Sequence, residues 1–285
     1  MPIDPRAWDT TVIPTELKEL VKDMERIGEW VGVIPLAVRN KFEAIGKTIY
    51  DHQYAKDGGI DGEIETETET ETETTAKVAG GLGNDQFRVF VSRIHRASHE
   101  CLTGAASEPA WNSEVHSSVL RLALEGYWEG NEIWSQDISL ARISNKPLVP
   151  WNVTTGAMQS KMVDYAIVIN PSRNFTPDAF NSLHNHIVEK LRGGSGDPSI
   201  NQATAEWVRF KPIGVNIETK RGAVGEDEAH VQLGTWIPAQ YTRLRQLMTP
   251  QATGKLPSFP VLSVQGQRWL LMIASLRDNG HHDID

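Results

Sequence analysis

Two stretches decide the fold: Lys161-Met162-Val163-Asp164-Tyr165-Ala166-Ile167-Val168-Ile169-Asn170-Pro171, and Ile213-Gly214-Val215-Asn216-Ile217-Glu218-Thr219-Lys220-Arg221. Each is a β-branched apolar run, the pattern of a strand. Each is also broken by an acid or a base where a purely structural strand carries Val or Thr. Side chains alternate along a strand, so Glu218 and Lys220 share one face and Thr219 takes the other. If the two strands pair, Asp164 joins that face, and an Asp, a Glu and a Lys converge on one point of a sheet. Two close carboxylates repel one another and gather a divalent metal, a proton or a cationic group. A lysine beside them lowers their pKa values and stabilises developing negative charge. The same residues on a solvated edge strand are only an ion pair, so the strands alone leave both readings open.

Working outward from Lys220, a polar turn from Gly222 to Glu228 leads into a helix from about Ala229 to Met248. It carries Gln232 and Trp236, and Pro238 is expected to kink it. Phe259 to Val264 and Trp269 to Leu276 then read as two strands joined through Gln265-Gly266-Gln267-Arg268, a hairpin. Upstream of the second stretch, Thr176-Pro177-Asp178 opens a helix with a cap, a proline at its first position and an acid in its first turn. Phe180, Leu183, Ile187 and Leu191 line that helix and Gly193-Gly194 ends it. His184 and His186 lie two apart on it and do not face each other, which argues against a metal pair.

Earlier still, Ile133 to Leu148 alternates imperfectly, as strand and loop. Asn112 or Ser113 to Glu125 reads as a helix with Val115, Val119 and Leu122 buried, ending at Gly126. Glu114 and Glu125 lie on its other side, where one of them can reach a site at the end of the sheet. Residues 85–103 form a further helix whose apolar face includes Phe87, Phe90, Val91, Ile94, Ala97 and Cys101. Cys101 there is a small core residue. The first 55 residues are a helical extension: Thr15 caps a helix with Leu17, Leu20, Val21, Met24 and Ile27 at helical spacing, and a second helix follows Pro35.

Residues 56–84 are glycine-flanked and carry an alternating Glu-Thr run, read as a disordered linker. Gly80-Gly81-Leu82-Gly83 is not a phosphate loop, because no strand precedes it and no Gly-Lys-Ser/Thr ends it. Residues 279–285, with His281 and His282, are expected to form a disordered tail. The fold class is therefore α/β: a mixed central sheet flanked by helices in one domain over 85–278, preceded by the helical extension.

Composition narrows the function. The 285 residues carry a net charge of −9, and Glu63, Glu65, Glu67, Glu69, Glu71 and Glu73 of the linker account for much of it. Setting those six aside brings the net charge to −3, without the broad basic surface of a protein that tracks a duplex. A single cysteine excludes an intrachain disulfide and suits a reducing compartment, where no disulfide-linked partner is expected. No apolar stretch approaches the ~20 residues that cross a bilayer. Met1 to Arg6 lacks the regions of a signal peptide. A cytoplasmic, membrane-free protein is expected.

Asp164 at one strand, Glu218-Thr219-Lys220 on the next, and Gln232-Leu233-Gly234-Thr235-Trp236 on the following helix resemble the PD-(D/E)XK nuclease superfold. Acid-x-Lys alone occurs by chance. Together with Val264-Gln265-Gly266-Gln267-Arg268-Trp269 the string is more specific and resembles a fungal group of PD-(D/E)XK-like proteins over roughly 85–276. The resemblance implies Asp164, Glu218 and Lys220 as the catalytic residues, with Gln232, Trp236 and an upstream glutamate, for which Glu114 is the candidate, in support.

Two activities follow from it. A nuclease would hold Mg²⁺ on Asp164 and Glu218. The other is that of the arginine-containing cyclodipeptide synthases, a branch of the same group. These draw arginine and a second amino acid from aminoacyl-tRNAs and release a diketopiperazine, with no cofactor implied. A third reading keeps the fold as an inactive nucleic-acid-binding module.

Overall fold

A computed structural model describes residues 15–29, 39, 49–54, 84–128, 133–143, 146–149, 151–152, 157–158, 162–171, 177–193, 198–222, 225–248, 256–276 and 282–284. The Glu-Thr run and most of the second N-terminal helix lie outside these residues. The chain divides into two compact units, residues 1–88 and 89–285. In the first, Leu17 just ahead of α1 (Lys18–Gly28) and Val21 within it are buried, while Met24 and Ile27 are exposed. Thr15 opens a 3₁₀ turn ahead of α1 and does not cap it with its side chain.

The second unit is built on a six-stranded mixed sheet with spatial order β1-β4-β5-β6-β7-β8. These strands are β1 (Ile133–Asp137), β4 (Tyr165–Ile169), β5 (Ile213–Lys220), β6 (Phe259–Gln265), β7 (Arg268–Leu276) and β8 (His282–Ile284). β2 (Trp151–Asn152) and β3 (Ala157–Met158) form a separate small hairpin. β4 pairs antiparallel with β5, with Tyr165 opposite Ile217. β5 pairs parallel with β6, and the other neighbouring pairs are antiparallel. The C-terminal residues thus add an edge strand, a correction to the disordered tail: backbone pairing of His282–Ile284 with Ala274–Leu276 gives the short run a place that its side chains do not signal.

Helices of this unit are α2 (Asn84–Thr103), which begins at the boundary, α3 (Glu108–Trp111), α4 (Ser117–Trp128), α5 (Pro177–Arg192) and α6 (Glu226–Leu247). A π-helical turn, Asn112–His116, joins α3 to α4. Leu233, Trp236, Ile237 and Tyr241 of α6 are fully buried in a core with Ala166, Val168, Val261, Met272 and Ala274 of the sheet. On the other face, Leu120 of α4 packs with Tyr165, Ile217 and Val264. Each buried Leu or Ile contributes about 1.5–3 kcal/mol, so the two packed faces hold β5 rigidly between helices. That rigidity fixes the acid-x-Lys run in place.

Candidate active site

β5 alternates as its sequence requires. Ile217 and Thr219 face the α4 side, and Asn216, Glu218 and Lys220 face the α6 side. Asn216 is held between Trp236, whose Nε1 donates to Asn216 Oδ1 at 2.8 Å, and Gln240, whose Oε1 accepts from Asn216 Nδ2 at 2.7 Å. This anchors α6 across the strand two residues before Glu218.

At the C-terminal end of β5 the environment changes. Glu218 has no solvent exposure and Lys220 has 6%. Lys220 Nζ donates to Glu218 Oε1 at 2.5 Å and lies 3.6 Å from Glu108 Oε2. Glu218 Oε2 is buried and, among the described residues, has no hydrogen-bond partner. Gly225, at φ +152°, lets the chain pass against the lysine stem: a Cβ there would meet Lys220 Cδ at 3.0 Å.

Asp164 sits immediately before β4, where its N–H donates to Ile217 O at 3.2 Å. Its Oδ2 accepts from the Thr219 N–H at 2.9 Å and from the Thr219 hydroxyl at 2.7 Å. Pairing of β4 with β5 thus brings Asp164, Glu218 and Lys220 to one sheet end.

Burial lifts the Glu218 carboxyl to about 8, and the Asp164 charge pushes it the same way, against the hydrogen bond and charge of Lys220. For Lys220, burial works against the ammonium, but the hydrogen bond and charge of Glu218, with the charges of Glu108 and Asp164, outweigh it and raise the pKa. Burial also raises Glu108, opposed by Lys220. The site therefore holds one firmly charged lysine and a glutamate whose proton comes off near neutral pH.

The other expected residues fall in different places. Gln232 Nε2 donates to Met162 O at 3.0 Å, tying α6 to the segment before Asp164, and its buried Oε1 has no hydrogen-bond partner among the described residues. Trp236 lies in the core, not at the site surface. Glu114 is exposed and shares a hydrogen bond with Ser113, so the upstream glutamate at Lys220 is Glu108. The helix begins earlier than Asn112, after Ser107, with Pro109 in its first turn. Ser107-Glu108-Pro109 is a helix-start pattern that could have located Glu108. Burial raises the Cys101 thiol, in keeping with a core residue.

Among the described residues no group of three or more His, Cys, Asp or Glu side chains could hold a metal. Mg²⁺ needs less from a protein, since one or two carboxylates suffice when water and a substrate phosphate complete its shell. The unpartnered Glu218 Oε2 beside Asp164 fits such a cation. Among the same residues no helix is long and apolar enough to cross a membrane.

This α/β fold, with two acids and a lysine gathered at the end of β4 and β5, is that of a PD-(D/E)XK-type protein. The family described as the PD-(D/E)XK nuclease superfamily matches residues 57–284, a wider span than the 85–276 that carries the motifs, and the chain belongs to it. No curated protein and no solved structure matches the chain.

Proposed function

We propose that the chain is a tRNA-dependent cyclodipeptide synthase, joining arginine from Arg-tRNA to a second amino acid from another charged tRNA and releasing an arginine-containing diketopiperazine. The observation that supports this reading is Glu218: buried, lifted to about 8 and held against a charged Lys220. An α-amine titrates near 8, so this carboxylate is matched to accept its proton. The amine nitrogen bonds to the ester carbonyl carbon of the other aminoacyl-tRNA as Glu218 takes the proton. Lys220 stabilises the oxyanion. The bond to the tRNA oxygen breaks, and that oxygen leaves with the proton. A second attack, by the free amine of the dipeptidyl-tRNA on its own ester, closes the ring and frees the second tRNA. An aminoacyl ester is already activated, so neither ATP nor a metal is required. Asp164, with Oδ2 committed to Thr219, offers Oδ1 to the arginine guanidinium. A protein that grips only RNA termini needs no broad basic face.

A different observation favours a second reading, Mg²⁺-dependent cleavage of DNA or RNA. A buried carboxylate oxygen without a donor is costly, and a cation held by Glu218 and Asp164 would satisfy it. Bound there, Mg²⁺ supplies charge neutralisation and an activated water. Lys220 would then face the scissile phosphate.

One reaction separates the two. Purified protein is incubated with total tRNA, synthetases, ATP and amino acids; the products go to mass spectrometry and the RNA to a gel. Arginine diketopiperazines over intact tRNA, absent when RNase is added at the start, are expected. Shortened RNA without cyclic dipeptide, stopped by removing Mg²⁺ from the cleavage step, would contradict the synthase and leave the nuclease. Neither product would leave a binding module.

A further inference from the structure

The π turn at Asn112–His116 carries side chains that run from the β6–β7 turn to Asp164. His116 is fully buried, stacked on Trp111 with ring centroids 5.7 Å apart and edge-on to Trp269 at 5.8 Å. Its Nε2 lies 2.9 Å from Gly266 O and its Nδ1 lies 2.9 Å from the Asn112 side-chain amide. The same amide atom of Asn112 lies 2.7 Å from Thr219 Oγ1, and Thr219 Oγ1 lies 2.7 Å from Asp164 Oδ2. The turn itself is tied down separately: Tyr165 Oη donates to Asn112 O at 3.0 Å and lies 2.9 Å from Ser117 Oγ.

Counting hydrogens gives this chain one direction. Thr219 has a single hydroxyl hydrogen, and two neighbours lie at 2.7 Å. Asp164 Oδ2 already accepts from the Thr219 N–H and takes this hydrogen as well, so the Asn112 atom facing Thr219 must be a donor. That atom is therefore the amide nitrogen; oxygen and nitrogen of an Asn amide are assigned by this kind of bookkeeping. The opposite end agrees independently. Gly266 O can only accept, so His116 Nε2 carries a hydrogen. Burial pulls the His116 pKa down and keeps the ring neutral, which leaves Nδ1 bare and in need of a donor. The two hydrogens of the Asn112 amide nitrogen serve His116 Nδ1 and Thr219 Oγ1. With this assignment every polar atom along the path is matched; with the amide reversed, two contacts set acceptor against acceptor.

We infer that His116 and Asn112 are positioning residues: through Thr219 they fix a one-way hydrogen-bond chain that locks Asp164 Oδ2 and leaves Oδ1 for substrate or cation. Among the described residues Asp164 Oδ1 has no hydrogen-bond partner. π turns gather at functional sites, and here the extra residue aims Asn112 and His116 at β5 and the β6–β7 turn. The inference rests on Asp164 belonging to the active site; its polarity does not.

The test has three readouts. In ¹⁵N-histidine-labelled protein at pH 7, the His116 signal, assigned by its loss in His116→Gln, is expected to show the Nε2–H tautomer with a bare Nδ1. An imidazolium or an Nδ1–H tautomer would overturn the polarity. In crystal structures, Asp164 is expected to leave its place in Thr219→Val and to keep it in Thr219→Ser; an unmoved Asp164 in Thr219→Val would overturn the positioning role. In whichever product assay the parent protein satisfies, Thr219→Val is expected to lose about 10–100-fold in kcat with KM little changed, and Thr219→Ser to recover most of it. Equal kcat in the two variants would also overturn it. If the parent forms no product, the functional reading fails while the spectra and the crystal structures still decide the inference.

Discussion

Asn216 and Glu218 are neighbours on the same face of the same strand, both without solvent exposure, and they are treated in opposite ways. Around Asn216 the polar contacts close: Trp236 donates to it, it donates to Gln240, and Gln240 Nε2 reaches Ile213 O at 3.0 Å. Around Glu218 they do not. One oxygen meets Lys220, the other has no hydrogen-bond partner among the described residues, and the carboxyl is lifted well above its usual range. A buried polar group that is satisfied ties elements together; one left incomplete is a place kept for something else. The two residues mark where the scaffold stops and the site begins.

The comparison breaks most visibly at its anchor. Trp236→Ala removes a fully buried indole and the donor to Asn216, and is expected to destabilise the unit by about 3–5 kcal/mol in urea or thermal unfolding.

Glu218→Gln is expected to do the reverse, in a way that depends on pH. The folded carboxyl titrates near 8 and the unfolded one near 4.5, so its contribution to stability is complete below the lower value and is lost as pH rises through the higher. The variant should match the parent at about pH 4.5 and exceed it by a few kcal/mol at about pH 8.5, because a tenfold change in proton affinity between the folded and unfolded chain is worth about 1.4 kcal/mol. Equal stabilities at both pH values would show that Glu218 is not held in this state.

Asn216→Ala leaves the Trp236 N–H and a Gln240 oxygen unpaired and is expected to lose about 1–3 kcal/mol at every pH. Tyr165→Phe removes the hydroxyl that holds the Asn112 carbonyl and should lose about 1 kcal/mol. Glu114→Gln, on an exposed side chain, should change neither stability nor activity.

The half of this arrangement that depends on alternation and local turn chemistry is legible in the sequence. Period-two spacing separates Glu218 and Lys220 from Thr219, and Gln265–Arg268 spans the β6–β7 turn, with Gly266 at φ +57°. The convergence of Asp164 with Glu218 follows once β4 and β5 pair. What is not legible depends on one inserted residue. A helix read at about 3.6 residues per turn gives no sign of the π turn, so the roles of Asn112 and His116 are hidden by it. Trp236 reads as a site aromatic only through the resemblance, but its side chain packs into the core and ends on Asn216. β8 is assembled by backbone pairing, which a three-residue run does not announce.

The most direct test of the central claim is the diketopiperazine reaction run with tRNA charged beforehand, in the presence of EDTA, on the parent protein and on Glu218→Gln and Lys220→Ala. The account predicts that the parent forms the cyclic dipeptide undiminished by chelation. Each variant should lose at least about 100-fold in rate, the scale of removing one group that stabilises a transition state. Turnover by the parent should rise with pH to a plateau above about 8. A parent protein that forms no cyclic dipeptide but cuts RNA or DNA when Mg²⁺ replaces EDTA would contradict it.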